Sequence, residues 1–349
     1  MSYAISVWGQ FGSTLVLTLR LAPLLNHTMK NSQAFTLAPP VVLCLAAGLE
    51  QFLNFSRGCA SWPFAVSLFI VGLPHGALDL QLLRQLIPRH RRSTSIAYMC
   101  RYLFMMVAMA ATLFYRPVFM ICLFGLMSAW HFGTADWSYR VSGQHRTKKY
   151  FWIISRGLFV ISLPLWWHPQ PSAAVIERLA EILGRQQSFN PDLVASISAS
   201  ALAACVVCYG VAVRRERDTR VLLQDLSESA AIFVSAALLD PMFFVGLYFL
   251  VWHSWKHMGQ LDKFGSWVSR TWAGRVYELH VASLPLLFPS LVLIFALAGS
   301  QTGGLTIMNL ALSGILFFII VTLPHHLLVD CMLAEMPKAG RSRLGAEDV

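Results

Sequence analysis

Six of the eleven histidines lie inside apolar stretches: His75 in GLPHGALDL, His131 in AWHFGTADW, His253 and His257 in WHSWKHM, and His325 and His326 in TLPHHLLVD. Neutral imidazole is a ligand for iron, copper, nickel or zinc. His253 and His257 stand four residues apart, so a helix presents both on one face, a common two-ligand spacing. His75 and His131 could complete a set of four nitrogens from two further helices. A metal held by imidazole alone keeps a net positive charge. An apolar surround excludes water and admits lipid-soluble molecules. With iron(II), such a set leaves coordination open for dioxygen, so the chemistry to expect is oxygen chemistry on a hydrophobic substrate. Hydrolysis is disfavoured, because neither HExxH nor a Ser-His-Asp set occurs.

Carboxylates and aromatics accompany these histidines. Asp79 follows His75 by four residues, Asp136 follows His131 by five, and Asp330 follows His326 by four. An acid at membrane depth needs a partner. Each of the three is therefore expected to accept from a distal imidazole N–H and so fix tautomer and ring direction. The competing expectation for Asp136 and Asp330 is a helix-end charge at the interface. Trp130, Phe132, Tyr248, Trp252 and Trp255 are candidates for the wall of a substrate pocket. LPHGAL and LPHHLL share a proline directly before histidine, where the helix loses a backbone donor and is expected to break. Gly76 would let a substrate or neighbour approach the backbone closely.

The elements that must position these groups are membrane helices. The chain has 349 residues, of which 56% are hydrophobic and only 13% charged. The charged share is about half that of a soluble globular protein. Apolar stretches occur at about 38–55, 63–84, 98–115, 117–138, 150–167, 193–213, 241–259, 280–299 and 305–330, with shorter ones at 11–25 and 226–239. The fold class to expect is all-α, a polytopic transmembrane bundle of about 9 to 11 helices. Its organisation divides into N-terminal membrane helices at 1–60, a core at 61–335 and a tail at 336–349.

The net charge of +10 sits in short loops between apolar runs, so it speaks for topology and anionic headgroups and against nucleic acid. Basic residues gather in alternate loops, among them Arg89, Arg91 and Arg92, then Arg140, Lys148 and Lys149, then Arg214, Arg215 and Arg217. Those loops and the C-terminus are expected in the cytoplasm, with the chain a multi-pass protein of the cell inner membrane. All six histidines then fall in the cytoplasmic half of the bilayer, because the four spans that carry them run the same way and each carries its histidines near its end. The remaining histidines, His27, His90, His145, His168 and His280, read as solvated or interfacial. The seven cysteines, including Cys205-x-x-Cys208, read as small buried hydrophobes. No signal peptide is visible.

In order and spacing, GLPHGALDL, WHFGTADW, WHSWKHM and LPHHLLVD resemble the Brp/Blh family of integral-membrane β-carotene 15,15′-dioxygenases of bacteria and archaea. The resemblance covers about residues 62–335. It implies Fe(2+)- and O2-dependent cleavage of the central double bond of β-carotene, or of a related carotenoid, to two molecules of retinal. It also implies metal ligation by His75, His131, His253 and His257. His325 and His326 match a further family element without an assigned ligand role. A retinal-binding rhodopsin is a candidate recipient of the product, and the lipid bilayer is the source of substrate. Three other readings use the same residues: a multi-span transporter with an intramembrane histidine and metal relay, a di-iron lipid desaturase, and a bis-histidine haem carrier. The single HxxxH argues against the desaturase, which needs about eight histidines in clusters.

Overall fold

A computed structural model describes residues 32–78, 92–140, 146–214, 216, 218–257 and 271–344. The stretch at 11–25, His27, Asp79, His90 and His145 lie outside the described residues, and of His75 and Asp330 the backbone alone is described. Among the described residues the chain is helical throughout, with no strand. In order come α1 (Ser32–Leu53), α2 (Trp62–Ile70), α3 (Gly72–Ala77), α4 (Arg92–Tyr115), α5 (Pro117–Arg140), α6 (Arg146–Trp167), α7 (Pro169–Ile182), α8 (Pro191–Arg214), α9 (Thr219–Leu238), α10 (Pro241–Tyr248), a π turn (Phe249–His253), α11 (Trp272–Gly299) and α12 (Ile307–Leu344).

Seven of these helices are long and apolar enough to cross a membrane: the apolar parts of α4, α5, α6, α8, α9, α11 and α12. Together they make this a multi-pass membrane protein. Large apolar side chains stand exposed all round the bundle, for example Phe104, Val206 and Phe288, as lipid-facing positions require. A soluble protein would not carry such a surface.

Local chemistry explains where helices begin. Pro117, Pro169, Pro191 and Pro241 each take the first helical position, where the missing N–H costs nothing and φ is already set. Asp240 caps α10, accepting from the backbone N–H of Met242 (2.9 Å) and Phe243 (3.3 Å). Asp218 does the same for α9, accepting from Arg220 N–H at 2.9 Å. With that cap, α9 runs the full 20 residues of Thr219–Leu238, longer than the 226–239 stretch the hydropathy marked. The first turns were hidden by the polar Arg220, Gln224 and Asp225, of which the bundle buries Asp225.

The apolar stretch at 63–84 is not one rod. The chain leaves helical geometry at Val71, three residues before Pro74, and resumes as α3. In LPHH the helix does not break: α12 passes through Pro324 without interruption. The stretch at 241–259 holds α10 and the π turn, whose extra residue per turn shifts the helical phase directly before His257.

Packing is tightest where α6 meets α8 and α5. A Cβ at Gly133 would overlap the carbonyl of Ile153, and one at Gly157 that of Ala129. These two glycines let the backbones of α5 and α6 touch, the small-residue device of membrane bundles. Cys205 of α8 donates from Sγ to the Ser155 carbonyl of α6 at 3.1 Å, a packing role. Two apolar clusters fill the bundle, one around Leu68, Leu312 and Ile319, the other around Leu43, Ile232 and Phe244. Phe64, Phe249 and Phe318 join them, with ring centroids 5.2 to 5.8 Å apart.

Candidate metal centre and its cavity

Five imidazoles from three segments meet in the bundle. His131 comes from α5, His253 and His257 from the π turn and the helical turn after it, and His325 and His326 from α12. All five are buried, none more than 7% exposed. The His131 ring lies 4.7 Å from His253, 5.3 Å from His325 and 5.1 Å from His326, centroid to centroid. His257 stands 6.4 Å from His253 and 5.9 Å from His325. Nδ1 of His131 and Nδ1 of His326 are 3.0 Å apart. That separation serves a hydrogen bond between the rings.

In chemical type the donor set fits a first-row divalent metal: imidazole throughout, in dry surroundings. Among the described residues no group of three or more His, Cys, Asp or Glu side chains is placed so as to hold a metal ion. His75 belongs to α3, and its helix adjoins the same space through Gly72, Leu73, Gly76 and Ala77.

That space is an apolar cavity of about 940 Å³, at the upper end of the range for small-molecule sites. His131, His253 and His325 reach its wall. The rest is largely hydrocarbon from Phe64, Phe132, Phe249, Phe318 and the face of α4 around Tyr98–Met106. Leu103, Phe104, Leu286 and Leu327 line the cavity and are also exposed on the outside of the bundle. The cavity therefore opens sideways, between α4, α11 and α12, where lipid would lie. A Cβ at Gly76 would meet nothing within 4 Å, so the backbone there borders open space.

Of the five aromatics expected in a pocket wall, Phe132 lines the cavity, its ring 4.7 Å from His253. The other four stand away from the described lining. Trp130 stacks on Tyr150 at 6.1 Å. Trp252 and Tyr248 are fully buried and stack on each other at 5.7 Å. Trp255 is half-buried, and none of the four is among the described cavity residues. Neighbours on a helix point about 100° apart, so a residue next to a histidine need not share its direction.

Behind the imidazoles lies a group of charges that sequence reasoning missed. Asp136 accepts from Arg156 Nε (2.7 Å), Lys256 Nζ (3.2 Å) and Trp252 Nε1 (3.0 Å). Arg156 also pairs with Glu228 and donates from Nη1 to Ser229 Oγ at 3.0 Å. Lys256 Nζ stands 3.6 Å from Glu228. Both cations face the Trp252 ring, Lys256 Nζ at 4.6 Å from its centroid and Arg156 Cζ at 5.4 Å. Asp136, expected to serve an imidazole, is the shared anion of this cluster. The signal available in the sequence was Arg156, a cation in the middle of an apolar span that must have an anion to meet.

His168 takes no part in the centre. It lies at the other end of α10, about 25 Å from His257 by helical rise. Its Nε2 is 3.1 Å from the Ala236 carbonyl, beside a small polar hollow with Glu50, Arg57 and Asp240. Burial pushes the Asp240 carboxyl above its ordinary value, against the opposing pull of its two cap N–H groups, His168 and Arg57. Glu50 is committed locally, accepting from the N–H groups of Phe55 and Ser56.

Comparison with known proteins adds a family. The sequence profile of β-carotene 15,15′-dioxygenases matches residues 66–333. A protein of Halobacterium salinarum named as a probable β-carotene 15,15′-dioxygenase Blh is 24% identical over 209 residues. Those residues are 57% of this chain and 61% of the relative, so the match spans less than two thirds of that relative's length. No solved structure matches.

Proposed function

The chain belongs to the β-carotene 15,15′-dioxygenase family, and from that premise we propose that it cleaves the central double bond of β-carotene, or of a closely related carotenoid, to two retinals. The observation that carries this reading is a group of five buried imidazoles, three of which, His131, His253 and His325, reach the wall of a large hydrocarbon cavity that opens toward lipid.

His131, His253 and His257, with His75, are the ligands in this reading, and ferrous iron is the metal. Bound iron supplies the activation of dioxygen for addition of both oxygen atoms across a carbon–carbon double bond. The chain supplies position and exclusion. Phe132 and Phe249 flank the His253 ring, with centroids 4.7 and 5.6 Å away, and hold a polyene against the centre by contact. The rest of the wall keeps water out, which protects a reactive intermediate from side reactions. Selectivity for the central bond follows from how far a chain end can travel into the cavity. His326 takes Nδ1 of His131, which leaves Nε2 of His131 for the metal, and His325 closes the wall beside it. Asp79 and Asp330 are proposed to orient His75 and His326.

Substrate and product are both lipid-soluble, so the bilayer delivers one and receives the other, and a retinal-binding rhodopsin is a fitting recipient. The basic loops speak for a centre in the cytoplasmic half of the inner membrane, with the C-terminus inside. The test is expression in a β-carotene-producing host followed by chromatography of the pigments. Loss of β-carotene with matching gain of retinal is expected. Unchanged pigment beside metal uptake into vesicles would overturn the reading in favour of transport.

A further inference from the structure

Charge buried inside a membrane bundle is costly and needs a reason. The cluster of Asp136, Glu228, Arg156 and Lys256 is at most 6% exposed. None of the four, nor Trp252, is among the described residues of the cavity. It therefore does not meet substrate. What it does touch is two of the three chain segments that carry the central imidazoles, α5 and the 252–257 segment.

Asp136 sits five residues after His131 on α5. Trp252 directly precedes His253, and Lys256 directly precedes His257. Trp252 and Lys256 both donate to Oδ1 of Asp136, at 3.0 and 3.2 Å. One carboxylate oxygen thus holds two points on the 252–257 segment, each next to a histidine. The opposite oxygen, Oδ2, is held by Arg156 of α6 at 2.7 Å. Adjacent residues on a helix project in different directions, so the indole and ammonium can turn to Asp136 while the imidazoles turn to His131. The π turn spans Trp252 and His253 and changes the helical phase at that point. A widened turn needs an external anchor to keep one register, and this carboxylate is placed to be that anchor.

We propose that Asp136 is a positioning residue: it fixes the distance between His131 and the pair His253 and His257 by binding both sides of the segment that carries the pair. Arg156 and Glu228 hold the tether in turn, since Arg156 bridges both acids and Glu228 stands beside Lys256. Two cations balance two anions within the cluster, so it adds no net charge behind a site that already gathers a cation. The inference rests on the proposed reading that these imidazoles bind a metal.

The test uses the full-length protein in nanodiscs, with anaerobic titration of ferrous iron and the electron paramagnetic resonance spectrum of its nitrosyl adduct. Asp136→Asn keeps shape and one carbonyl oxygen but removes the charge. Its iron Kd is expected to weaken 10- to 100-fold, the usual cost of losing an outer partner, with an altered nitrosyl signature. Asp136→Asn with Lys256→Met restores neutrality without restoring the tether, and its Kd is expected to stay weak. Recovery of wild-type affinity in that double variant would mean that only charge balance matters, and would overturn the proposal. If Asp136→Asn fails to fold, Trp252→Phe carries the test, because it deletes one N–H donor and keeps the ring. A several-fold weaker Kd with a changed signature is expected there. Wild-type Kd and signature in either single variant would overturn the proposal. Failure of the wild-type protein to bind iron would instead sink the metal reading itself.

Discussion

Two polar groups lie back to back inside this bundle, and they face different things. The imidazole centre looks onto a cavity that reaches the lipid. The ion cluster behind it looks onto packed helices on every described side. The centre is built from groups that can stay neutral until a metal arrives. The cluster is built from full charges, each within 4 Å of an opposite one. Burial of charge is tolerated when partners are complete and nothing can enter. Reactivity needs the reverse, an open approach. Placing the two side by side would let rigid charges hold the proposed ligands.

The largest effect expected separates the two regions outright. His253→Ala should abolish both iron content and retinal formation, leaving the pigment profile of an empty host, while the ion cluster and the fold persist. Iron by mass spectrometry of the purified protein and helicity by circular dichroism check it. Full iron occupancy with normal turnover in this variant would break the ligand assignment.

The cluster should respond in the opposite sense. Arg156→Met removes the cation that bridges Asp136 and Glu228 and leaves buried acids without it. Breaking one side of a buried pair costs about 3–5 kcal/mol, so unfolding should come at much lower temperature. Iron binding, measured below that temperature, should weaken without vanishing. An unchanged thermal transition would show that the cluster is not a structural clamp.

The two regions were not equally legible. Histidine is unusual inside apolar spans, and six of them on four spans drew attention to one site from the sequence; the structure brings the rings of five together. The all-helical membrane fold was legible for the same reason, since twenty-residue apolar runs have few other uses. The cluster left a fainter trace. Asp136, Arg156, Glu228 and Lys256 are single charges on separate segments, and nothing in their spacing says that they meet. Glu228 was hidden further because its helix looked too short, its polar first turns having lowered the hydropathy. The π turn leaves no pattern at all, as one extra residue in a turn is invisible to periodicity. Of the aromatics named from the sequence, Phe132 lies on the described cavity wall, and the others point elsewhere because chain neighbours on a helix differ in direction. Phe64, Phe249 and Phe318 do line the cavity, and in the sequence they look like any other lipid-facing phenylalanine.

A finer distinction concerns the α12 pair. His326→Ala removes the ring that meets Nδ1 of His131, so the iron Kd should weaken 10- to 100-fold with metal still bound at saturation. An all-or-none loss, matching His253→Ala, would make His326 a ligand and redraw the centre. Equilibrium dialysis of both variants in one series decides between these.

The smallest effects belong to the cavity wall, where Gly72 and Gly76 lie one helical turn apart with different surroundings. A Cβ at Gly72 would stand 2.7 Å from Cε1 of Phe249 and 2.8 Å from the Ser67 carbonyl. Gly72→Ala must therefore move the ring that stacks on His253 and strain the end of α2, an overpacking cost of about 1–3 kcal/mol. A Cβ at Gly76 meets no protein atom within 4 Å, so Gly76→Ala should leave stability unchanged and take only space from the substrate. Iron should remain bound in both, because the imidazoles are held from the side away from the cavity. KM for β-carotene should rise several-fold in Gly72→Ala and less in Gly76→Ala. If Gly76→Ala lost iron, the wall and the centre would not be separable, and the contrast between an adaptable front and a clamped back would fail at its weakest joint.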